Sequence, residues 1–300
     1  MKSIQVRHVD VFTEKAFSGN PLTVIPNALG LSDADMQAIA AEFGTPETSF
    51  ILPAKGDADY RLRIFSPIKE IPFAGHPVLG AAHVFVTELS KDMEASVLRL
   101  ETGIGSLRLE VIRQGKAAKL VMDQGRPKLI GSLTEQQALT VADALQLNET
   151  AIADSTPQII STGLSQLFLQ LNDLNVLSRM IPDLVKVKKI EVQLGLTGVA
   201  VFTLETVNRE DSVHLRFFAP SIGISEDAAA GSAAGGVAGH IALCHLLPNE
   251  TLQSFSIEQG LEIGRPSRLY VNVKVKDDAP ENVRVGGYSV TVSAGSISMP

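Results

Sequence analysis

Two segments of this chain begin with a glycine followed by a polar residue and continue as a run of small apolar residues. FAGHPVLGAA places Gly75 before His76, and GSAAGGVAG places Gly231 before Ser232. A helix that begins in this way presents backbone N–H groups and a partial positive charge, which bind a carboxylate or a phosphate. The pattern predicts two facing helix N-termini that hold an anionic substrate. The alternative is that both glycines only permit tight turns.

Two acidic residues near these segments are candidates for proton transfer. Glu47 lies between a predicted helix and the strand SFIL, so it does not belong to an obvious solvated helix face. Asp227 lies four residues before Gly231, whereas the place in the C-terminal half that matches Glu47, near Gly198, has no acid. A carboxylate acts best as a general acid/base when burial brings its pKa toward neutrality. A solvated surface glutamate is the alternative interpretation of Glu47.

An internal repeat indicates which elements position these residues. RIFSP at 63–67 matches RFFAP at 216–220, and LETGIGSLRLEV at 100–111 matches IEQGLEIGRPSRLYVNV at 257–273. Each copy predicts a strand, a polar loop, a buried helix and a glycine-containing turn into another strand. A period of about 150 residues indicates a duplicated domain, since solenoid repeats span about 20 to 50 residues.

The repeat predicts an α+β fold of two similar halves, each with strands around a buried helix. The interruption around DQGRPKLIG places the boundary so that residues 1–125 form the N-terminal half and residues 126–289 the C-terminal half. The last strand, at about 290–300, has no counterpart in the first copy and is predicted to join the N-terminal half. One helix is predicted over DLNVLSRMIPDLVKV, residues 173–187.

Composition limits the partners and the compartment. The chain has 300 residues, a formal net charge of −7 and one short basic run, so no nucleic-acid partner is expected. The uncharged stretch 228–249 is long enough to cross a membrane, but its Ala and Gly content favours a helix buried in protein. The single Cys244 cannot form an intrachain disulfide, and the N-terminus lacks a signal-peptide pattern. A cytoplasmic protein without a membrane span is predicted.

The motifs resemble those of the PhzF family of phenazine-biosynthesis-like isomerases, which has the diaminopimelate epimerase-like fold. The similar segments are HVDVFTEKAFSGNPLTV, PETSFIL, RIFSPIKEIPFAGHPVLGAA, FFAPSIGISEDAAAGSAAG and IEQGLEIGRPS, which follow the family's order over nearly the whole chain. The resemblance implies two pseudo-symmetric halves, each with a barrel-like mixed sheet around a central helix, and an active site in the cleft between them. It also implies a homodimer.

Matched position by position, the resemblance implies that Glu47 is the general acid/base. It adds His76 and Asp227 to the catalytic residues. The residues that it implies for substrate binding are Asn20, Gly75, Gly231 and Ser232.

Two departures from the family pattern bear on substrate specificity. Pro46 stands where the phenazine enzyme has a serine, and Ala230 stands where many members have a threonine, so each change removes a hydroxyl. Epimerases of this fold use a cysteine at each of the two helix N-termini, where this chain has His76 and Ser232, so a two-cysteine racemase is excluded. The sequence has neither a zinc-ligand pattern nor a nucleotide-binding glycine motif, and no cofactor or metal is predicted.

Two functions are consistent with these residues. The favoured prediction is a cofactor-independent isomerase that moves a proton between carbons of a small carboxylate substrate, with Glu47 as the general acid/base. The alternative is a non-catalytic protein of the same fold that binds small carboxylates.

Overall fold

Strands predominate in the computed structural model of the protein, which describes residues 2–90, 96–115, 117–247 and 252–299. The strands are β1 (Lys2–Val11), β2 (Asn20–Ile25), β3 (Thr48–Leu52), β4 (Tyr60–Phe65), β5 (Glu70–Ile71), β6 (Val97–Thr102), β7 (Gly105–Gln114), β8 (Ala117–Gly125), β9 (Lys128–Ser132), β10 (Gln158–Ser161), β11 (Ser165–Gln170), β12 (Val199–Thr203), β13 (Val213–Phe218), β14 (Leu252–Gln259), β15 (Ser267–Lys276), β16 (Ala279–Gly287) and β17 (Ser289–Met299). The helices are α1 (Asp33–Phe43), α2 (Gly75–Val84), α3 (Glu135–Ala144), α4 (Leu174–Arg179), α5 (Leu184–Leu194) and α6 (Gly231–Leu243).

The described residues fold into two compact units. Unit 1 takes the residues up to Met122 and those from Gly286 onward, and unit 2 takes Asp123–Val285. β17, near the end of the chain, therefore belongs to unit 1, where it pairs with β1 along the length of both strands. Unit 2 is built from one continuous stretch of chain.

Both units pair their strands in the same order. In unit 1, the antiparallel pairs are β17–β1, β1–β2, β3–β4 and β6–β7, and the parallel pairs are β2–β3 and β4–β6. In unit 2, the antiparallel pairs are β9–β10, β10–β11, β12–β13 and β14–β15, and the parallel pairs are β11–β12 and β13–β14. This shared order confirms the internal repeat and the α+β fold predicted from the sequence.

A helix of small residues is buried at the centre of each unit. α2 contacts β1, β2, β3, β4 and β17 in unit 1, and α6 contacts β10, β11, β12 and β15 in unit 2. Both begin at the predicted glycines, Gly75 and Gly231. α6 accounts for much of the uncharged stretch 228–249, whose last residues, 248 and 249, lie outside the described ranges. No helix within those ranges combines the length and the apolar character needed to cross a membrane.

The single helix predicted over residues 173–187 is wrong, because two helices, α4 and α5, occupy this segment. Pro182 lies in the break between them; proline has no N–H to donate and disfavours a helical conformation at the residue before it. Asp183 then caps α5 by accepting hydrogen bonds from two backbone N–H groups of its first turn. The proline was visible in the sequence and outweighed the apolar periodicity around it.

Candidate active site

The first turn of α2 carries His76, and the loop before β3 carries Glu47. Both side chains are largely buried, with 10% of the His76 side chain and 14% of the Glu47 side chain exposed. Glu47 Oε2 lies 3.2 Å from His76 Nε2, so the two groups form an ion pair when the imidazole is protonated. The fold of unit 1 therefore brings a carboxylate and an imidazole, two groups able to carry a proton, into contact.

The loop that carries Glu47 follows α1 and is held by contacts of threonine hydroxyls. α1 ends at Phe43 and is capped by Gly44, whose left-handed backbone (φ 61°) turns the chain toward β3. The hydroxyl of Thr45 donates to the backbone carbonyl of Glu47 over 2.8 Å and lies 3.1 Å from Thr23 Oγ1. Thr23 Oγ1 lies in turn 3.4 Å from His8 Nδ1. These contacts link the Glu47 loop to β1 and β2.

Asn20 and Gly75 also lie in unit 1. Asn20 begins β2, is 2% exposed and pairs with Val11 of β1. Gly75 begins α2 after the extended N-cap residue Ala74, which has no polar side chain to cap the helix. The backbone N–H groups of the first turn of α2 are therefore not satisfied by an N-cap side chain.

Polar side chains of unit 2 hold the first turn of α6. Gln166 Nε2 donates to Ser232 Oγ over 3.0 Å, and Gln124 Nε2 donates to the Gly231 carbonyl over 2.9 Å. The Thr162 hydroxyl donates to the Ser232 carbonyl over 3.1 Å. Because Ser232 Oγ accepts from Gln166, its own hydrogen is available for donation to another acceptor.

A buried glutamine fixes the loop that carries Asp227. Gln259, at the end of β14, donates from Nε2 to the Asp227 carbonyl over 2.8 Å and accepts at Oε1 from the Ala230 N–H over 3.1 Å. The Asp227 carboxylate accepts from the Ala229 N–H over 3.1 Å. Ala230 is the N-cap of α6 and has no capping side chain, so Gln259 satisfies a backbone group beside the helix N-terminus.

A buried charge cluster anchors the strand end that carries Gln259. His214 is fully buried between Glu258 and Glu262, with Nδ1 2.7 Å from one carboxylate and Nε2 2.8 Å from the other. Burial lowers the pKa of His214, but hydrogen bonds to both carboxylates outweigh burial and raise the pKa to about 9. His214 is therefore a charged imidazolium at neutral pH, and it joins β13 to β14 one residue before Gln259.

The predicted site residues fall into two groups, one in each unit. Unit 1 holds Asn20, Glu47, Gly75 and His76, and unit 2 holds Asp227, Gly231 and Ser232. The structure brings Glu47 and His76 into direct contact, and it places Asp227, Gly231 and Ser232 along one turn and the helix start that follows. In the described part of the chain, no three His, Cys, Asp or Glu side chains are grouped as a metal site would require.

Sequence reasoning missed the three glutamines Gln124, Gln166 and Gln259. The partners of Gln124 and Gln166 are 107 and 66 residues away along the chain, and no local sequence pattern predicts such hydrogen bonds. A signal for Gln259 was present, since it stands in IEQG where the matching segment of the first copy, LETG, has Thr102. A difference at one position between two copies of a motif indicates that the residue there has a role in one copy alone.

Comparison with known proteins shows that nearly the whole chain matches one family. The profile of the PhzC-PhzF family, described as phenazine biosynthesis-like protein, matches residues 9–295. A trans-2,3-dihydro-3-hydroxyanthranilate isomerase of Pseudomonas chlororaphis is 34% identical over 292 residues, which cover 96% of this chain and 97% of that protein. The crystal structure of a PhzF-family phenazine biosynthesis protein of Bacillus anthracis is 27% identical and superposes with a TM-score of 0.90, covering 100% of both chains.

The fold extends to more distant proteins. A hydroxyproline epimerase of Agrobacterium vitis superposes with a TM-score of 0.63 at 10% identity, covering 99% of this chain and 93% of that one, which shows a likeness of fold alone. The predicted diaminopimelate epimerase-like fold class is confirmed, as is the resemblance to the PhzF family. The names of the relatives support an isomerase. The chain belongs to the PhzC-PhzF family of phenazine biosynthesis-like proteins.

Proposed function

We propose that this protein is a cofactor-independent isomerase that moves a proton between carbons of a small carboxylate substrate, with Glu47 as the general acid/base. The observation that carries the proposal is the contact between the largely buried Glu47 carboxylate and the His76 imidazole. General acid/base catalysis needs a positioned side chain that takes up a proton and releases it again, and a carboxylate held beside an imidazole meets that need.

The proposed reaction is balanced without a second reactant. The Glu47 carboxylate removes a proton from one carbon, and the electron pair of the broken C–H bond enters the unsaturated system of the substrate. The double bond moves, and the carboxylic acid of Glu47 returns the proton to a second carbon, where a new C–H bond forms. His76 orients the carboxylate through the 3.2 Å contact between its Nε2 and Glu47 Oε2. No atom is gained or lost, and nothing is oxidised.

The remaining predicted residues are assigned to substrate binding and to a second acid. Gly75, Gly231 and Ser232 lie at helix starts without capping side chains, which suits the oxygens of a carboxylate. The Ser232 hydroxyl accepts from Gln166 and so donates toward the substrate. Asn20 completes the substrate-binding set, and Asp227 is the second acid in contact with the substrate.

A small unsaturated carboxylate is the proposed substrate class. One relative is named for the isomerisation of trans-2,3-dihydro-3-hydroxyanthranilate, and this compound is the first to test. A panel of small cyclic and acyclic carboxylates extends the test, because Pro46 and Ala230 replace hydroxyl residues expected from the family pattern.

The test compares Glu47→Gln with Glu42→Gln. Glu42 is an exposed glutamate on α1, so its variant serves as the matched control. We expect Glu47→Gln to lower kcat by about 10³-fold while substrate affinity changes less than about tenfold. Glu42→Gln keeps the wild-type rate. Wild-type turnover by Glu47→Gln would refute the assignment, and ligand binding without turnover by the wild-type protein across the panel would favour the non-catalytic alternative.

Product labelling provides a second readout of the same proposal. If Glu47 carries one proton from carbon to carbon, the product formed in D₂O contains less than one full deuterium at the receiving carbon after a single turnover. A mechanism with two bases gives nearly complete labelling, because a solvent-derived proton is delivered. Mass spectrometry at early times separates these outcomes, and full labelling would overturn the one-carboxylate mechanism.

A further inference from the structure

A buried hydroxyl joins β3 to the first turn of α2. Ser49 is fully buried, and its Oγ donates to the backbone carbonyl of Pro77 over 3.1 Å. Ser49 lies two residues after Glu47, and Pro77 lies one residue after His76. This hydrogen bond therefore ties together the two chain segments that carry the carboxylate and the imidazole.

Strand geometry places Ser49 on the face of β3 that meets α2. Successive side chains of a strand point to opposite faces, so Ser49 and Ile51 of β3 share one face and Thr48 and Phe50 share the other. Phe50 packs in the cluster that contains Met36 and Ile39 of α1. The Ser49 face is thus the face that meets α2, as its bond to Pro77 shows.

The Ser49–Pro77 hydrogen bond and the Glu47–His76 contact lie close together along the chain. Glu47 lies two residues before Ser49, so their backbones are at most about 7 Å apart, since an extended chain spans about 3.3 to 3.6 Å per residue. His76 is bonded directly to Pro77 in the rigid first turn of α2. We therefore expect a change in the distance between Ser49 and Pro77 to change the distance between the Glu47 and His76 side chains.

The matching strand pair of unit 2 has neither a hydroxyl at the position of Ser49 nor an acid at the position of Glu47. Thr48 pairs with Phe65 in unit 1 as Val199 pairs with Phe218 in unit 2. By this register, Ala200 occupies the position of Ser49, and Gly198 occupies the position of Glu47. Ala200 is fully buried, so an alanine fits this place in the fold. The hydroxyl occurs in the unit that has the acid.

We infer that Ser49 is a positioning residue that holds Glu47 against His76. The inference rests on the proposed function for its catalytic meaning, whereas its geometric content concerns only the Glu47–His76 contact. Its role is not to carry a proton, because its hydroxyl is bonded to a backbone carbonyl. Its role is to keep the carboxylate and the imidazole at the separation that proton transfer uses.

The test is Ser49→Ala, with Ser256→Ala as the matched control. Ser256 is also a buried serine whose hydroxyl donates to a distant backbone carbonyl, that of Glu210, over 3.3 Å. The first readout needs no substrate: the pH titration of the His76 ring, followed by NMR in protein labelled at histidine. Glu47→Gln supplies the titration midpoint of His76 without its carboxylate partner.

We expect Ser49→Ala to move the His76 midpoint toward the value in Glu47→Gln, and Ser256→Ala to leave the midpoint at its wild-type value. The second readout is turnover of trans-2,3-dihydro-3-hydroxyanthranilate. In this assay, we expect Ser49→Ala to lower kcat by about tenfold and to change KM by less than about twofold, since a positioning defect affects the chemical step. Ser49→Thr, which keeps the donor, restores most of both.

Three results would overturn the inference. One is a His76 midpoint in Ser49→Ala equal to that of the wild type. Another is loss of the folded state in Ser49→Ala, since that would make the hydroxyl a requirement of the fold. The third is a wild-type kcat in Ser49→Ala when Glu47→Gln is inactive. Turnover by Glu47→Gln at the wild-type rate would instead defeat the proposed function, while the titration would still decide whether Ser49 positions the pair.

Discussion

Units 1 and 2 share a scaffold at the strand that follows the central helix. Glu101 in unit 1 and Glu258 in unit 2 each accept hydrogen bonds from two consecutive backbone N–H groups of a loop. The donors are Lys55 and Gly56 in unit 1 and Val207 and Asn208 in unit 2. Each of these glutamates is followed two residues later by a glycine that lies against the backbone of the turn before the central helix. A Cβ at Gly103 would overlap Pro72, and a Cβ at Gly260 would overlap Ala228.

The units differ where the central helix begins. Unit 1 places Glu47 beside His76, whereas unit 2 has Gly198 and Ser232 at the matching positions. By the register of the paired strands, Gln166, which bonds Ser232, matches the apolar Leu22 of unit 1. Both units have a glutamate that holds a loop, and they differ in the residues around the start of the central helix. The result is a titratable pair in one unit and a helix start held by neutral amides in the other.

The largest loss of stability is expected at the charge cluster of unit 2, which is formed by His214, Glu258 and Glu262. His214→Phe leaves the buried Glu258 and the partly buried Glu262 without their cation, so we expect the free energy of unfolding to fall by about 3 to 5 kcal/mol. The matching residue of unit 1 is the partly exposed Arg61, and Arg61→Met is expected to cost less than about 1 kcal/mol. Urea unfolding of both variants measures the difference, and equal losses would contradict the asymmetry.

The same cluster predicts a dependence of stability on pH. The pKa of His214 in the folded protein is about 9, above its ordinary value of 6.5, because its bonds to Glu258 and Glu262 outweigh the opposing effect of burial. A group with a raised pKa contributes stability that is fully present below pH 6.5 and is lost as the pH rises through about 9. Urea midpoints of the wild type should fall across that window, and those of His214→Phe should fall less.

The next largest effect is expected at Gln259. Gln259→Met leaves the Ala230 N–H and the Asp227 carbonyl without their buried partner, which costs about 1 to 3 kcal/mol. The matching residue of unit 1 is Thr102, whose hydroxyl donates to the nearby Gly105 carbonyl, so Thr102→Val should cost less than about 1 kcal/mol. Thermal unfolding of the two variants compares them. A larger loss of stability in Thr102→Val than in Gln259→Met would contradict the prediction that the Gln259 amide stabilises unit 2 more than the Thr102 hydroxyl stabilises unit 1.

The smallest effect is expected at Gly235. A Cβ there would overlap Gln124 Oε1, so Gly235→Ala must displace this side chain from the Gly231 carbonyl, at a cost of about 1 kcal/mol. Gln124→Ala removes the same bond and the obstacle together. We therefore expect the double variant to be no less stable than Gln124→Ala alone. Additive losses in the double-mutant cycle would mean that Gly235 serves another purpose.

Much of the scaffold could be predicted from the sequence because its signals are local or repeated. RIFSP and RFFAP predicted matching strands, and these are β4 and β13. Gly75 and Gly231 predicted helix starts, and α2 and α6 begin there. The roles of the predicted site residues stay predictions, although the Glu47–His76 contact provides the geometry that the proposal needs.

The contacts that hold the helix starts could not be predicted, because they depend on strand register. Ser49 and Pro77 are 28 residues apart, and Gln166 and Ser232 are 66 apart. A shift of one residue along a strand would turn each of these side chains to the other face of its sheet. The helix over residues 173–187 was a different kind of error, since Pro182 already marked the break.

The division of the chain into units has a consequence for the order of biosynthesis. Unit 2 occupies one continuous stretch, so all of its strands have been synthesised before β17 is made. Unit 1 holds Glu47 and His76 but obtains β17 only from residues 289–299, and until then β1 lacks the partner that pairs with it from Lys2 to Val11. On the ribosome, unit 2 is therefore complete before the unit that carries the acid/base pair.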